Sequence, residues 1–274
     1  MSRVRYAEIL AEFDSVGRFA YGASERLVGL TLAEPHLSYA EQIFVKLLAH
    51  CISLRRLSPD PARAGQEMWD LSSTAIIARA VIEAFDALAY IALGAVTIEV
   101  RSFRVLLWEL HDVNRRAKML DHIGSTDPRR VAVARQAEEL TKKVVEHPNF
   151  LDLSKNLQLK VRSGDPPQFS NTQRQRCQEA DVNHDYYTAI TMQLSQYAHT
   201  SPYAVHQLFR FRAGQPEEWR LISLPIQYAL VFLVRALTGL QSLFPVTRLA
   251  MSDSLQVSFA AWTAVSQRGV KDDG

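Results

Sequence analysis

Apolar residues recur at intervals of three and four along most of the chain, which is the periodicity of an amphipathic α-helix. No segment shows a convincing alternation of apolar and polar residues, as a half-buried β-strand would. Glycine and proline fall mostly between the periodic segments, where they end helices or form turns. The pattern predicts nine helices, over residues 4–31, 37–57, 73–93, 97–122, 128–147, 183–199, 202–211, 217–243 and 253–267.

These segments predict an all-α protein in which residues 1–274 form one domain, a single multi-helix bundle of about eight or nine helices. Within it we distinguish N-terminal helices (1–60), core helices (70–205) and C-terminal helices (213–268). Residues 154–183 are polar and contain the sequence Gly-Asp-Pro-Pro at 164–167, so we expect an irregular insertion there. The chain contains no internal repeat at a fixed period and no heptad pattern long enough for a coiled coil.

Composition supports this interpretation. Glycine and proline number 11 each in 274 residues, below their usual shares of about 7% and 5%, and 47% of the residues are apolar. The two cysteines are too few for a disulfide scaffold, which favours a reducing compartment. The N-terminus lacks the pattern of a signal peptide, and the apolar run 221–240 is interrupted by Pro225, Gln227 and Arg235. We therefore expect a cytoplasmic protein that does not enter a membrane.

The helix predicted over residues 73–93 carries a polar stripe on an otherwise apolar surface. Arg79, Glu83, Asp86 and Tyr90 follow one another at i, i+4, i+7 and i+11, so they lie along one line of the helix. An isolated charge stays buried only at a cost of several kcal/mol. The stripe is therefore either a structural ion pair, a face exposed to water, or part of a functional pocket.

Two further helices have comparable stripes. Thr188, Ser195 and His199 share a line on the helix over 183–199, and Arg235 belongs to a polar quarter of the helix over 217–243. A histidine at the end of a helix is stabilised as a cation by about 0.3 to 1 kcal/mol. It can be a cap, a hydrogen-bonding core residue or a proton-transfer group. If the three stripes converge, the candidate catalytic residues are Arg79, Glu83, Ser195, His199 and Arg235.

The helix predicted over residues 97–122 has an apolar face and an opposed basic face. Residues 101–176 carry a net charge of +6, whereas residues 1–100 carry −3 and the remainder −1. A solvated basic face explains this distribution, but a tryptophan on a purely solvated face is unusual. Cationic side chains next to an aromatic ring are suited to a phosphorylated or single-stranded nucleic-acid ligand. The candidate ligand-binding residues are Arg104, Trp108, His111, Arg115 and Lys118.

Common catalytic motifs are missing. The chain has no glycine-rich phosphate loop, no dinucleotide fingerprint, no HExxH and no GxSxG, and no candidate metal ligands at a recognised zinc or di-iron spacing. We therefore predict no metal site and no cofactor. The Arg-x(4–6)-His pattern of the HEPN ribonucleases occurs three times, and chance alone predicts roughly two matches. That similarity is therefore weak and carries no prediction.

Three short motifs resemble those of an uncharacterised bacterial family, catalogued as a domain of unknown function, over roughly residues 70–205. They are Ser73-x(5)-Arg79-x(3)-Glu83, Trp108-x(2)-His111 and Leu194-Ser195-x-Tyr197-x-His199-x-Ser201. The resemblance implies an all-helical domain and no established activity. The polar residues of that family correspond to Arg79, Glu83, His111, Ser195 and His199.

Three hypotheses for the function follow. In the first, the protein binds RNA or a phosphorylated small ligand and cleaves RNA without a metal, with His199 transferring the proton and Arg79 or Arg235 stabilising phosphate charge. In the second, it is a non-enzymatic interaction protein or homodimer whose polar stripes are structural. In the third, it is a small-molecule or metal enzyme with its site in the bundle core. The sequence leaves open whether the protein is an enzyme.

Overall fold

The computed structural model describes residues 1–63, 69–199, 201–210 and 215–269. All regular secondary structure in these residues is helical, which confirms the predicted all-α class. The described residues form eleven α-helices, and three single 3₁₀ turns lie between them. The helices are α1 (Arg3–Glu25), α2 (Pro35–Leu57), α3 (Leu71–Leu88), α4 (Ile98–His122), α5 (Arg129–Glu146), α6 (Lys155–Arg162), α7 (Gln173–Glu179), α8 (His184–Ala198), α9 (Pro202–Arg210), α10 (Pro216–Leu243) and α11 (Asp253–Arg268).

All nine predicted helices are present, but two of the finer predictions were wrong. The first helix ends at Glu25 instead of residue 31, because the chain turns there and Gly29 adopts a left-handed conformation with φ of 83°. Residues 154–183 are not irregular throughout, since α6 and α7 lie within them. The Ser154 hydroxyl caps α6 by accepting from the amide of Leu157 at 3.3 Å, which stabilises even a short helix.

The main hydrophobic core surrounds α3, which packs against α2, α8 and α10. Ten of its 18 residues are buried, so almost every face of this helix lies inside the fold. A second, smaller cluster joins α4 to α5 and α6 through side chains such as Leu110, Val144 and Val161. The apolar face of α4 therefore faces α5, and the opposite face of α4 borders α2, α7 and the segment between α6 and α7.

Among the described residues, α10 is the one helix long and apolar enough to cross a membrane by length and composition. Of that apolar window, 67% is buried within the fold. The side chains of Phe232, Leu233 and Leu237 are fully buried, and α10 packs against α1, α2, α3 and α11. Its apolar surface thus forms the core instead of a continuous exposed band.

The carboxyl end of α3 is held by two arginines of the next helix. α3 continues into a π-helical turn, Ala89–Leu93, in which the carbonyl of Ala89 accepts from the amide of Gly94, whereas the last carbonyls of a helix have no partner within it. The guanidinium of Arg101 donates to the carbonyl of Gly94 at 2.8 Å and to two further carbonyls of this turn. The guanidinium of Arg104 donates to the carbonyl of Tyr90 at 3.2 Å. These bonds fix the angle at which the chain leaves α3 and enters α4.

We expect Arg101→Met to lower the free energy of unfolding by about 2 to 3 kcal/mol, because hydrogen bonds from a charged donor contribute about 1.5 to 3 kcal/mol and half-buried carbonyls would lose their partner. Urea unfolding followed by circular dichroism measures the change. Arg101→Lys keeps the charge but loses the planar array of donors. Its free energy of unfolding should lie between those of the parent and the Met variant. Equal stability of the Met variant and the parent would contradict this role.

Candidate functional site

The polar stripe of α3 meets α8, a contact that the sequence left open. We name Arg79, Glu83, Asp86 and Tyr90 the α3 seam. The Nε of Arg79 donates to Oε1 of Glu83 at 2.9 Å, and its Nη1 donates to the hydroxyl of Ser195 on α8. The side chains of Arg79 and Glu83 are 34% and 59% exposed, so this end of the seam lies at the surface. Three of the five candidate catalytic residues are therefore in one connected group.

The line of α8 that faces α3 differs from the predicted one. Tyr187, Thr191 and Ser195 lie at i, i+4 and i+8 on this face, and the Ser195 hydroxyl donates to the carbonyl of Thr191 at 2.5 Å. His199 follows the last helical residue, is exposed, and its ring makes no hydrogen bond or ion pair with a described residue. The chain leaves the helix at this residue, so the predicted line through Thr188, Ser195 and His199 does not continue as one face.

Arg235 makes its hydrogen bonds away from the seam, so the condition for a five-residue cluster, that all three stripes converge, is not met. The Nη2 of Arg235 donates to the carbonyl of Ala180 at 2.6 Å and lies 3.8 Å from a carboxylate oxygen of Asp181. Together with Gly239 these residues border a separate cavity of about 230 Å³ between α10 and the end of α7. Arg235 thus anchors the turn between α7 and α8 to α10.

The inner half of the α3 seam is buried and fully partnered. The hydroxyl of Tyr187 donates to Oδ2 of Asp86, and the hydroxyl of Tyr90 lies 2.9 Å from that of Ser170. Burial raises the pKa of Asp86 to about 6, although the Tyr187 hydrogen bond and the charge of Arg176 both lower it. The candidate residues did not include Asp86 and Tyr187. The sequence did contain a signal for Tyr187, because it shares one face of α8 with Thr191 and Ser195 at i, i+4 and i+8.

Arg104 is not on an exposed basic face, contrary to the prediction. It is only 4% exposed, because its guanidinium lies against Tyr90 and Gly94 at the end of α3 and contacts Glu179, the last residue of α7. Its Nη2 forms an ion pair with Oε1 of Glu179 at 2.8 Å, and its guanidinium lies 4.6 Å from the centre of the Tyr90 ring. This arginine connects α4, α7 and the end of α3, and it is not accessible to a large ligand.

The other four residues of the basic face lie towards the surface, and three of them border one cleft. Trp108, His111 and Arg115 line a cleft of about 620 Å³ between α4, α5, α2 and the segment before α7, which we name the α4–α5 cleft. Lys118 lies outside it and forms an ion pair with Asp165 at 2.7 Å. The predicted face is therefore divided into a buried arginine, a paired lysine and a cleft.

One wall of the α4–α5 cleft is aromatic. The rings of Trp108 and Tyr39 pack edge to face, with centroids 5.1 Å apart. The Tyr39 hydroxyl donates to Oε1 of Glu109 at 2.8 Å, and burial together with this carboxylate raises the pKa of Tyr39 to about 12. Nδ1 of His111 lies 2.8 Å from the carbonyl of Pro166. Because a carbonyl can only accept, Nδ1 carries the proton, and Nε2 of the neutral ring is an acceptor.

The polar side chains of the cleft fall into two groups. Asp112 and Arg116 neutralise one another in an ion pair of 2.8 Å. By contrast, the side chains of Arg115, Gln136 and Gln168 border the cleft and make no hydrogen bond or ion pair with a described residue. One cation and two amides are therefore available to a ligand beside the aromatic wall.

No protein-family model, curated protein or solved structure matches the chain. The resemblance to an uncharacterised bacterial family therefore stays a prediction. Nor do the described residues include a group of three or more histidines, cysteines or carboxylates that could hold a metal ion.

If the α3 seam joins α3 to α8, Arg79→Ala should lower the free energy of unfolding by about 1 kcal/mol, since its hydrogen bonds are partly exposed to water. His199→Ala should change the free energy of unfolding by less than about 0.5 kcal/mol, because that ring is exposed and makes no hydrogen bond with a described residue. Thermal and urea unfolding measure both. Arg135→Ala is the control, because Arg135 makes a similar i, i+4 ion pair with Glu139 but bridges no second helix. If Arg79→Ala lowers the free energy of unfolding no more than Arg135→Ala does, Arg79 does not bridge the two helices.

The buried carboxyl of Asp86 should make stability depend on pH. Its pKa is about 6 in the folded chain and near 3.8 when unfolded, so its stabilising contribution is complete below pH 4 and is lost as the pH rises through 6. Asp86→Asn still accepts from Tyr187 and has no charge to desolvate. We expect the stability of this variant relative to the parent to rise by about 2 to 3 kcal/mol between pH 4 and pH 7. If urea unfolding shows the same dependence of stability on pH for Asp86→Asn and the parent, the Asp86 carboxyl does not have a raised pKa in the folded chain.

Proposed function

We propose that the protein binds a phosphorylated ligand that contains an aromatic base, either a free nucleotide or a nucleotide unit of single-stranded RNA, in the α4–α5 cleft. The observation that carries this proposal is the combination of the unpaired side chains of Arg115, Gln136 and Gln168 with the aromatic wall of Tyr39 and Trp108. Whether an enzymatic step follows binding is a separate prediction.

Each group of the cleft suits one part of such a ligand. A guanidinium binds phosphate oxygens through charge-assisted, bidentate hydrogen bonds, and Arg115 is available for this. Amide groups offer both donors and acceptors, as the edge of a base requires, and Gln136 and Gln168 provide them. The face of Trp108 can stack on the base. A volume of about 620 Å³ lies within the usual range for small-ligand sites.

The local charge also favours a ligand with few phosphates at this site. Asp112 balances Arg116, and Glu109 is turned towards the Tyr39 hydroxyl, so Arg115 is the cation of the cleft that forms no ion pair with a described carboxylate, although its charge helps to lower the pKa of Asp165. The surrounding basic residues are largely paired, as Lys118 is with Asp165. We therefore expect about one phosphate contact from the cleft and a modest dependence of affinity on salt.

The arrangement favours binding over RNA cleavage. Metal-independent cleavage would use His199 for proton transfer, with Arg79 or Arg235 next to the phosphate. Arg79 already donates to Glu83 and Ser195, and Arg235 donates to the carbonyl of Ala180. RNA cleavage therefore stays a prediction without a geometric argument in its favour, and a ligand-binding role needs none of these three groups.

The alternative of a non-enzymatic interaction protein or homodimer has one observation in its favour. The buried members of the α3 seam are partnered within the chain, Asp86 by Tyr187 and Tyr90 by Ser170, as a structural seam requires. That role is compatible with ligand binding at the α4–α5 cleft, because the two groups of residues do not overlap. Sedimentation velocity at micromolar concentration distinguishes a monomer from the homodimer that this alternative expects.

The ligand proposal is tested with a short fluorescein-labelled oligoadenylate, with binding followed by anisotropy and with AMP as competitor. Arg115→Gln should weaken binding about 10- to 100-fold and reduce the slope of log affinity against log salt by about 0.7, the value for one phosphate contact on a single strand. Trp108→Leu should weaken binding about 5- to 100-fold and leave the salt slope unchanged, because stacking carries no net charge.

Arg135→Gln is the matched control, since this arginine lies on the exposed side of α5, outside the cleft. It should bind the oligonucleotide as the parent does. No binding by the parent, or equal losses for the Arg115 and Arg135 variants, would contradict the proposal. If AMP displaces the oligoadenylate at a concentration similar to that of the nucleotide units in the oligomer, a free nucleotide is the favoured ligand.

A further inference from the structure

One acidic side chain of the α4–α5 cleft has no part in the proposed binding of phosphate. Glu109 borders the cleft and is half-buried. Its Oε1 accepts from the Tyr39 hydroxyl at 2.8 Å, and its Oε2 makes no hydrogen bond or ion pair with a described residue. The second carboxylate of the cleft differs, because Asp112 is neutralised by Arg116 at 2.8 Å. A cleft suited to an anion thus also contains a carboxylate that no described cation neutralises.

The position of Glu109 on α4 shows which part of the ligand it meets. Trp108 and Arg115 are seven residues apart, so they lie on one line of the helix, about 10 Å apart along its axis. Glu109 follows Trp108 directly and is distant from Arg115. The Tyr39 side chain contacts both Trp108, through its ring, and Glu109, through its hydroxyl. The carboxylate therefore lies beside the ring that stacks on the base, at the end of the cleft away from the phosphate.

The Tyr39 hydroxyl fixes the orientation of this carboxylate. Burial, together with the neighbouring charges of Glu109 and Asp112, raises the pKa of Tyr39 to about 12. The hydroxyl therefore stays protonated at neutral pH and always donates to Oε1. A group that is already oriented loses less conformational entropy when a ligand binds to it.

The four bases differ in what they offer to a carboxylate. Guanine has two N–H donors side by side, at ring nitrogen N1 and at the amino group N2. Adenine and cytosine have one amino group next to a ring nitrogen that accepts, and uracil has one N–H between two carbonyl oxygens. An acceptor placed against a carboxylate oxygen is repelled, and both groups stay unpaired. Guanine alone can donate to both oxygens in a bidentate, charge-assisted pair.

We propose that Glu109 is a specificity-determining residue that makes the α4–α5 cleft selective for guanine nucleotides. The inference rests on the proposed function, because it concerns the base that this same cleft binds. Oε2 of Glu109 accepts from N1–H, and Oε1, which has a second lone pair beside its bond to Tyr39, accepts from the amino group at N2. The guanine ring stacks on Trp108, and the phosphate binds Arg115.

Calorimetric titration of the full chain with GMP, IMP and AMP tests the selectivity of the parent. GMP should bind about 10- to 100-fold more tightly than AMP, as expected for one bidentate contact with a base edge. IMP keeps the N1–H donor and lacks the amino group at N2, so its affinity should lie between those of the other two nucleotides.

Glu109→Gln should reverse the base preference. The amide oxygen still accepts from Tyr39, while the amide NH2 replaces the second carboxylate oxygen with a donor. This donor opposes N1–H of guanine and pairs with N1 of adenine. We therefore expect weaker GMP binding, stronger AMP binding and a ratio of the two affinities at least tenfold below that of the parent. A purely structural role of Glu109 would instead weaken both nucleotides equally.

Asp112→Asn is the matched control, because it removes the same charge from the same cleft at a carboxylate that Arg116 already neutralises. Both nucleotides should bind more tightly, since Arg116 is released, and the ratio of GMP to AMP affinity should stay within about twofold of that of the parent. An equal change of this ratio in the Asp112 and Glu109 variants would overturn the inference, because it would indicate a general effect of charge.

Two outcomes separate this inference from the proposed function. Equal affinities of the parent for GMP and AMP, or an unchanged ratio in Glu109→Gln, would overturn the selectivity and leave the nucleotide site intact. If the parent binds none of the three nucleotides, both proposals are wrong.

Discussion

A polar stripe on a buried helix is the constraint on which the rest of this fold depends. α3 is enclosed by α2, α8 and α10, and each polar group on it that is removed from water must find a partner inside the protein. α8 provides Tyr187 for Asp86, and the segment between α6 and α7 provides Ser170 for Tyr90. The polar insertion after α5 is therefore a required part of the core, since it completes the hydrogen bonding of the central helix.

The same requirement explains the distribution of the arginines. Arg101 and Arg104 donate to the carbonyls at the end of α3, and Arg235 donates to the carbonyl of Ala180 at the end of α7. Guanidinium groups suit this task because one side chain can satisfy two or three carbonyls at fixed angles. Within residues 101–176, Arg101 and Arg104 therefore have a structural role, and net charge alone overstated how much positive charge is available to an anionic ligand.

The sequence predicted local features well and contacts between distant segments poorly. The helical periodicity of the apolar residues predicted both α3 and α4, because it continues without interruption along each of them. α7 was missed because it is short and polar, although Thr172 and Gln175 form a capping box that marks its start. Arg104 was placed wrongly because a helical wheel shows which residues share a face but not which distant groups cover it, here Tyr90 at the end of α3 and Glu179 at the end of α7.

The polar residues that stand out in a sequence are therefore of two kinds, and pairing distinguishes them. Arg79, Asp86 and Arg235 interrupt apolar helices, and all three are partnered within the chain. Arg115 lies on the amphipathic helix α4, whose basic face made it a candidate in the sequence, and it borders the α4–α5 cleft without an ion pair to a described residue. A charge that the fold has already neutralised has little left to offer a ligand, since breaking its partnership costs much of what a new contact would contribute. The side chains at the edge of the α4–α5 cleft that lack a described partner are thus stronger candidates for function than the more conspicuous charges of the core.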